Sequence, residues 1–144
     1  MWPRNVKSIP PVKAVMTPFP HSIEASETTT KARKMMAGLG FHHLPVMDRG
    51  ELIGVISEPD LRRAESASSE AYLVADVACR EAFLVDLSEP LDRVLSKMAR
   101  RRAGSVLVVK EDRLAGIFTV TDACRSFAEC LRAQFPGEGG DEAA

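Results

Sequence analysis

The sequence contains one motif twice, and this duplication constrains the fold more than any other feature. Shifting the chain by 62 positions, the separation of Asp60 and Asp122, aligns residues 12–63 with residues 74–125 without a gap. Chance rarely keeps one register over such a length, so the chain contains two copies of one structural unit. The identical pairs in this register are Val12/Val74, Val15/Val77, Ser26/Ser88, Glu27/Glu89, Met36/Met98, Ala37/Ala99, Val46/Val108, Leu52/Leu114, Gly54/Gly116, Asp60/Asp122 and Arg63/Arg125.

Each copy begins with a predicted strand and a predicted helix. Residues 21–25 and 83–87 alternate apolar and polar side chains, which is typical of short strands. Ser26 and Ser88 then stand where helix N-caps are expected, with Pro90 in the first turn of the second helix. Gly40 is a plausible end for the first helix. The helical spacing predicts that the core receives Ala32, Met35, Met36 and Leu39 from the first helix, and Leu91, Val94, Leu95 and Met98 from the second.

The rest of each copy predicts two strands joined by a turn and then a second helix. The strands are expected at 42–47 and 52–57, and again at 105–110 and 113–119. The helices are expected at about 58–67 and 120–134. The fold class is therefore α+β, with two β-α-β-β-α repeats packed about a pseudo-two-fold axis as one compact module, because a half of about 60 residues is only marginally stable alone.

The domain organisation follows from the repeat and its flanks. We expect an N-terminal arm at 1–11, the first repeat at 12–67, a linker at 68–73 and the second repeat at 74–134. Residues 135–144 are rich in glycine and acidic residues and are predicted to be a disordered tail.

Composition excludes several classes of function. A formal net charge of −1 and a pI near 6.3 give no support for nucleic-acid binding. Nothing approaches 18 consecutive apolar residues and the N-terminus lacks a secretory apolar stretch, so we expect a cytoplasmic protein without a membrane span. Cys79, Cys124 and Cys130 are odd in number and form no CxxC pair, which argues against a metal site or a disulfide framework. They are predicted to be reduced, buried or half-buried thiols.

The sharpest repeated element is Ser57-x-x-Asp60 and its equivalent Thr119-x-x-Asp122. An apolar strand ends in a hydroxyl residue, and an acid follows at the opening of a helix. This pattern is typical of a capping box, in which hydroxyl and acid satisfy backbone amides. The alternative is a ligand site, because free amides at a helix N-terminus suit a phosphate and a carboxylate can bind a ribose diol. The short reach of Asp compared with Glu favours the outward, ligand-binding role.

The sequence resembles a pair of CBS (cystathionine β-synthase-type) domains. The resemblance covers residues 12 to about 130 and lies in four motifs of the first copy. The second copy departs from the pattern, with 78–80 (Ala-Cys-Arg) in place of 16–18 (Met-Thr-Pro) and Leu107 in place of Pro45. The four motifs are Val-x-x-Val-Met-Thr-Pro at 12–18, Thr28-x-x-x-Ala32, His43-Leu44-Pro45-Val46-Met47-Asp48 and Gly54-Val55-Ile56-Ser57-x-x-Asp60.

The resemblance implies two clefts between the repeats that often bind adenosine compounds. In each, the base would pack on apolar side chains, Asp122 or Asp60 would bind the ribose, and Thr119 or Ser57 would bind a phosphate. One cleft would combine Thr17, Pro18, Phe41, His42, His43 and Pro45 with Thr119 and Asp122. The other would combine Cys79, Arg80, Ala82, Ala103, Gly104 and Ser105 with Ser57 and Asp60.

His42 and His43 leave two interpretations open. They occupy positions where phosphate-binding members of the family carry His or Arg, and phosphate affinity would then rise as the pH falls through about 6.5. They are equally consistent with an exposed pair of histidines at the start of a strand. A metal site is disfavoured, because adjacent residues of a strand point to opposite faces and no third ligand is evident.

The predicted function is a stand-alone regulatory module rather than an enzyme, since no nucleophile is paired with a base and no Gly-rich phosphate loop is present. We expect it to bind AMP, ADP or ATP, or S-adenosylmethionine, as regulatory ligands in energy sensing, with no required cofactor. It would signal ligand state to a protein partner or to the second subunit of a homodimer. The alternative is a structural or interaction module with no nucleotide ligand.

Overall fold

The computed structural model describes residues 7–68 and 72–137. The first residues of the predicted arm, the centre of the predicted linker and most of the predicted tail lie outside these ranges. The strands are β1 Thr17–Pro18, β2 Ile23–Glu24, β3 His43–Asp48, β4 Glu51–Ser57, β5 Leu84–Asp86, β6 Ser105–Lys110 and β7 Arg113–Thr119. The helices are a 3-10 turn at Val12–Ala14, then α1 Thr29–Leu39, α2 Glu58–Ala67, α3 Val74–Val77, α4 Leu91–Arg101 and α5 Val120–Gln134.

The later elements of both repeats agree closely with the sequence prediction. The predicted strand at 113–119 is β7 and the predicted helix at 120–134 is α5. Helix α2 and strand β6 also match. The first strands are shorter than predicted, because only two and three residues of 21–25 and 83–87 form ladder pairs.

The described chain divides into two compact units, and each has its own sheet. Unit I contains the chain up to Pro18, Leu84–Lys110 and the chain from Ala115, and unit II contains Phe19–Phe83 and Glu111–Leu114. The sheet of unit I has the strand order β1-β7-β6-β5, and the sheet of unit II has the order β2-β3-β4. In both sheets the short first strand of the repeat runs parallel to its neighbour, β2 to β3 and β5 to β6.

Each unit combines the body of one repeat with the opening segment of the other. In unit I, Thr17 of β1 pairs with Ile117 of β7 in antiparallel register. In unit II, Cys79 forms the equivalent bridge with Val55 of β4. These two pairs are related by the 62-residue shift, so the exchange of segments is reciprocal.

Backbone hydrogen bonds repeat this exchange one turn earlier in the chain. The amide of Val12 donates to the carbonyl of Glu89 at 2.9 Å in unit I, and the amide of Val74 donates to the carbonyl of Glu27 at 2.8 Å in unit II. Both valines are fully buried. The opening segment of each repeat therefore completes the fold of the other repeat, at the same position in both copies.

The predicted N-caps Ser26 and Ser88 are wrong. Helix α1 is capped two residues later by Thr28, whose hydroxyl accepts from the amide of Lys31 at 3.2 Å. The Ser88 hydroxyl and amide both donate to the Asp86 carboxylate, and these bonds lower the pKa of Asp86. The extra residues form a turn, so each helix begins later than the first hydroxyl suggests.

The helical cores confirm most of the predicted apolar positions. Ala32 and Met36 are buried in unit II, and Met35 packs against that core while partly exposed. Leu39 and Leu95 are 45% and 38% exposed, so their assignment to the core is wrong. Gly40 does end α1, with a φ of 72° that favours glycine. The core of unit I receives Leu91, Val94 and Met98 from α4.

Candidate functional site

The Ser/Thr-x-x-Asp elements form capping boxes in both units. In unit I, the Thr119 hydroxyl accepts from the amide of Asp122 at 3.2 Å, and Asp122 Oδ2 accepts from the amide of Thr119 at 2.9 Å. In unit II, the corresponding distances between Ser57 and Asp60 are 3.3 and 2.9 Å. The shorter reach of Asp, which favoured an outward role from the sequence, does not prevent the reciprocal bond, and the hydroxyl itself also donates to Oδ2.

The second carboxylate oxygen of each acid has a different partner. Asp122 Oδ1 binds the guanidinium of Arg125 at 3.2 Å, and Asp60 Oδ1 is paired in the same way with Arg63. The aspartate side chains are 11% and 12% exposed, whereas the arginines are 64% and 74% exposed. One oxygen is therefore used by the helix cap, and among the described residues the polar partner of the other is a solvent-exposed arginine.

The start of β3 lies beside the capping box of unit II. His43 pairs with Ser57 across the β3–β4 ladder, and the carbonyl of His42 accepts from the amide of Glu58 at 3.0 Å. The His42 ring contacts the Glu58 carboxylate at 2.8 Å, which lowers the pKa of Glu58. His43 is half-buried, and this burial, with the neighbouring His42, lowers its pKa while Asp60 opposes the shift.

Two aromatic rings adjoin this region of unit II. Phe41 precedes the histidine pair and its ring lies 5.6 Å from that of His21, at an interplanar angle of 37°. Pro45 lies within β3 and is fully buried. Of these residues, Phe41 is accessible to a ligand and Pro45 supports the strand.

In α2 of unit II, the residues of the first turn, Glu58, Pro59 and Asp60, present no free backbone amide. The amide of Glu58 donates to His42 and that of Asp60 donates to Ser57. Pro59 between them has no N–H. A phosphate at this end would therefore depend on side chains rather than on the backbone amides considered from the sequence.

The exchanged segment places Cys79 close to the same element. The amides of Val55 and Cys79 donate to each other's carbonyls at 3.0 and 2.8 Å. A Cβ on Gly54 would collide with the Cys79 carbonyl, so glycine permits this close approach. Arg80 follows as an exposed residue and Ala82 is half-buried.

Unit I repeats the arrangement with different side chains. Thr17 and Pro18 pair with Ile117 and Gly116, immediately before Thr119 on β7. The carbonyl of Gly104 accepts from the amide of Val120 at 3.1 Å, as that of His42 does for Glu58.

The remaining predicted positions of unit I lie at the start of β6. Ser105 begins this strand and is buried, and Ala103 precedes it with its amide bound to the carbonyl of Met98. The histidines and the glutamate of unit II thus have no counterpart here.

Within each unit, the structure brings some of the predicted site residues next to the Ser/Thr-x-x-Asp element of that unit. Thr17 and Pro18 adjoin the Thr119 element, and Cys79 adjoins the Ser57 element, as the two predicted sites require. In addition, His42 and His43 adjoin Ser57, although the prediction assigned them to the other site. The membership of each complete site stays a prediction.

A groove of about 330 Å³ in unit II was missed by the sequence analysis. It adjoins Asp60 and is lined by residues of α2 and α3 and by Tyr72, which precedes α3. Arg63 could have been found, because an arginine follows both repeated aspartates by three residues. Tyr72 and Asp76 lie outside any motif, so no sequence signal marked them. The lining residues are Asp60, Arg63, Ala64, Ala67, Tyr72, Asp76 and Val77.

The three cysteines are free thiols. Cys130 is half-buried, but Cys79 and Cys124 are exposed, so the expectation of burial is wrong for these two. In the described ranges, no group of three or more His, Cys, Asp or Glu side chains could hold a metal ion. No helix within the same ranges is long and apolar enough to cross a membrane.

Comparison with known proteins defines the family. The CBS domain profile matches residues 12–67 and 74–129. The chain therefore belongs to the CBS domain family and carries two copies of the domain, which confirms the resemblance. A curated relative, L-aspartate semialdehyde sulfurtransferase from Methanosarcina acetivorans, is 28% identical over 118 residues, which are 81% of this chain but 23% of that protein. The chain thus spans less than a quarter of the length of this relative.

Solved structures share the fold. The AcuB protein of Vibrio cholerae is 26% identical with a TM-score of 0.84, covering 89% of this chain and 98% of that one. The CBS domain pair of protein MJ0100, in complex with 5′-methylthioadenosine and S-adenosyl-L-methionine, is also 26% identical, with a TM-score of 0.79 over 85% and 99% of the two chains. CBSX2 in complex with AMP has a TM-score of 0.74 over 85% and 99%, and its 24% identity supports the fold alone.

Proposed function

We propose that this CBS pair is a regulatory module that binds an adenosine compound beside each Ser/Thr-x-x-Asp element. The observation that carries the proposal is that the two carboxylate oxygens of each aspartate have different partners. Asp60 and Asp122 use Oδ2 for the helix cap, while the polar partner of Oδ1 among the described residues is an exposed arginine. A ribose hydroxyl can replace that arginine without breaking the cap. The MJ0100 pair, which binds two adenosine compounds, is similar to this chain.

The two elements differ in the ligands that their charges favour. In unit II, the Glu58 carboxylate lies next to His42 and would repel a phosphate at neutral pH. In unit I, Val120 occupies the equivalent position and adds no charge. We therefore infer that AMP, ADP or ATP is favoured beside Asp122, and that an adenosine compound without a phosphate, such as S-adenosylmethionine, is favoured beside Asp60.

Thermal melting with AMP, ADP, ATP and S-adenosylmethionine tests the proposal. A ligand at 100 times its dissociation constant stabilises the folded protein by about 2.7 kcal/mol and raises the melting midpoint. Asp122→Asn should remove the shift caused by AMP, and Asp60→Asn should remove the shift caused by S-adenosylmethionine. Asp48→Asn, at the exposed last residue of β3, is the matched control and should change neither. A midpoint unchanged by all four compounds overturns the proposal.

The second candidate is a structural module in which the repeated element serves only as a cap. The complete capping boxes of both units favour it. Under this alternative, Asp122→Asn destabilises the free protein by about 1 kcal/mol, the usual cost of a lost cap, and no adenosine compound has any effect.

We also propose that the protein forms a homodimer through α5. Four apolar or thiol side chains follow one face of this helix, and Phe135 extends the row beyond its end. The first repeat has charged residues at three of the equivalent positions of α2, namely Glu58, Arg62 and Glu65. An exposed apolar row on one helix suits a two-fold contact with the same row of a second copy. The row consists of Val120, Cys124, Phe127, Leu131 and Phe135, all exposed.

Sedimentation equilibrium tests the dimer. Phe127→Glu introduces the residue that the first repeat has at this position, and it should convert the dimer into a monomer. Leu39→Glu places the same charge on an exposed apolar residue of α1 and should leave the dimer intact. A wild-type protein that sediments as a monomer at all concentrations contradicts the proposal. Whether ligand binding alters this contact, or a contact with a regulated protein partner, can be read from the same experiment with ligand present.

A further inference from the structure

We infer that Arg63 and Arg125 compete with the ligand for the aspartate oxygen that would bind its ribose, and that they thereby set the affinity of each Ser/Thr-x-x-Asp element. The inference rests on the proposed function, in which a ribose hydroxyl binds Oδ1 of Asp60 or Asp122. It adds two residues that neither predicted site included, and it gives each of them the role of an internal competitor rather than a ligand contact.

The contact of each guanidinium with its aspartate carries the inference. Arg125 Nη1 lies 3.2 Å from Asp122 Oδ1, and Arg63 Nη2 donates to Asp60 Oδ1 in the same way. Each arginine follows its aspartate by three residues, so one turn of a helix brings the two side chains together. In both repeats the arginine therefore occupies the oxygen that the proposed function assigns to the ribose.

The approach to this oxygen is narrow. The side chains of Asp60 and Asp122 are only 12% and 11% exposed, and their Oδ2 atoms are turned to the helix cap. The arginines are mostly exposed and stand on the solvent side of the carboxylate. A ribose would have to approach Oδ1 from that side, so we expect it to displace the guanidinium.

The helix cap does not need the arginine. Asp60 Oδ2 accepts from the amide of Ser57 at 2.9 Å and from its hydroxyl at 2.8 Å. Asp122 Oδ2 accepts from the amide and the hydroxyl of Thr119 at 2.9 and 3.0 Å. These bonds keep the carboxylate in place when the arginine leaves, so the exchange leaves the start of the helix intact.

The exposure of the arginines determines the size of the effect. Arg63 is 74% exposed and Arg125 is 64% exposed, so water hydrates a released guanidinium at little cost. Ion pairs of this kind are weak, and an oxygen that is partly occupied by one should bind its ligand about two- to fivefold less tightly than a free oxygen. Salt screens such pairs, so the penalty should shrink as the ionic strength rises.

Calorimetric titration with adenosine tests the competition, because adenosine has no charge and salt acts on its binding mainly through the protein. All proteins carry Asp122→Asn, so that only the element of unit II contributes to the signal. At low salt, Arg63→Ala should bind adenosine about two- to fivefold more tightly than the parent. In 1 M NaCl, where the Debye length is about 3 Å, the ratio of the two affinities should approach one.

Lys31→Ala is the matched control. It removes the same charge from another exposed ion pair of unit II, in which Lys31 Nζ lies 2.9 Å from Glu27 Oε1, and it should leave the affinity for adenosine unchanged. A gain in Arg63→Ala that persists unchanged in 1 M NaCl would assign the effect to the bulk of the side chain and overturns the competition between charges.

Equal or weaker binding by Arg63→Ala at low salt also overturns the inference, because the ribose and the arginine would then not exclude each other. The proposed function would still be supported if Asp60→Asn abolished the binding of adenosine. If neither the parent nor Arg63→Ala binds adenosine, the inference is overturned, and the four-ligand melting experiment decides the proposed function separately.

Discussion

The carbonyl of Cys79 packs directly against the α-carbon of Gly54, at a point where any side chain on residue 54 would collide with it. This contact joins the opening segment of the second repeat to β4 of the first. The repeat-equivalent contact lies between Thr17 and Gly116, where an added Cβ would stand 2.9 Å from the Thr17 carbonyl oxygen. The two glycines of the repeated motif are thus required by the exchange of segments.

Gly54→Ala should reduce the free energy of unfolding by about 1–3 kcal/mol, the usual range for overpacking, because the obstructing atoms are backbone. Gly116→Ala should cost less, since part of its obstruction is the flexible Met16 side chain. Gly38→Ala is the control: nothing lies within 4 Å of an added Cβ in α1, and the change should stabilise the protein by about 0.5–1 kcal/mol. Urea denaturation measures all three, and an unchanged stability for Gly54→Ala would contradict the model of close backbone contact.

Removal of the cap hydroxyls should destabilise both units. Ser57→Ala and Thr119→Ala each lose a side-chain acceptor for a helix amide, and each should lower the free energy of unfolding by about 1 kcal/mol. Thr119→Ser keeps the hydroxyl and should stay within a few tenths of a kcal/mol of wild type. A Thr119→Ala protein as stable as Thr119→Ser would show that the cap contributes nothing.

Stability should fall on mild acidification because of His43. Its pKa is lowered in the folded protein, chiefly by burial, so the unfolded chain binds more protons below about pH 6.5. The stability contributed by neutral His43 is therefore present above this pH and is lost as the pH falls through the folded-state pKa. Urea denaturation at pH 7.5 and 5.5 should show a smaller difference for His43→Gln than for wild type. His21→Gln, at a histidine outside the β3–β4 ladder, should keep the wild-type difference.

Replacing Glu58 should change ligand preference in unit II. Glu58→Gln removes the negative charge next to His42, so the binding of AMP relative to adenosine should strengthen several-fold in a protein that carries Asp122→Asn. Glu65→Gln removes a charge from the same helix, further from the capping box, and should leave the ratio unchanged. Isothermal titration measures both ratios, and an equal change in the two variants would assign the effect to net charge alone.

The two repeated aspartates show how much of the candidate site could be predicted from the sequence. The pattern identified the capping box and the ligand site as alternatives for Asp60 and Asp122. The structure shows two oxygens with separate partners, so the cap does not use up the carboxylate. Which oxygen binds the cap and which binds Arg63 or Arg125 depends on the rotamer of the aspartate side chain. The periodicity of apolar residues in the sequence does not specify that rotamer.

The incorrect prediction of N-caps at Ser26 and Ser88 shows why local patterns fail at helix starts. Several hydroxyl and acidic residues precede each helix, and the choice between them depends on where the chain turns after the short strand. In the first repeat, the backbone bond of Thr29 to Tyr72 determines that Thr28 is the last extended residue. That partner is 43 residues away in the sequence, so no window around the helix contains the information.

The sequence by itself determined the duplication, the α+β class, the family and the two Ser/Thr-x-x-Asp elements, because a repeat in one register and apolar periodicity are properties of the chain order. Only the tertiary structure decided which segment completes which sheet, which oxygen of Asp60 the helix cap uses, and that Tyr72 and Asp76 line a groove beside α2. These outcomes depend on contacts between residues that are distant in sequence, and their energy comes from burial and hydrogen bonding in the folded chain.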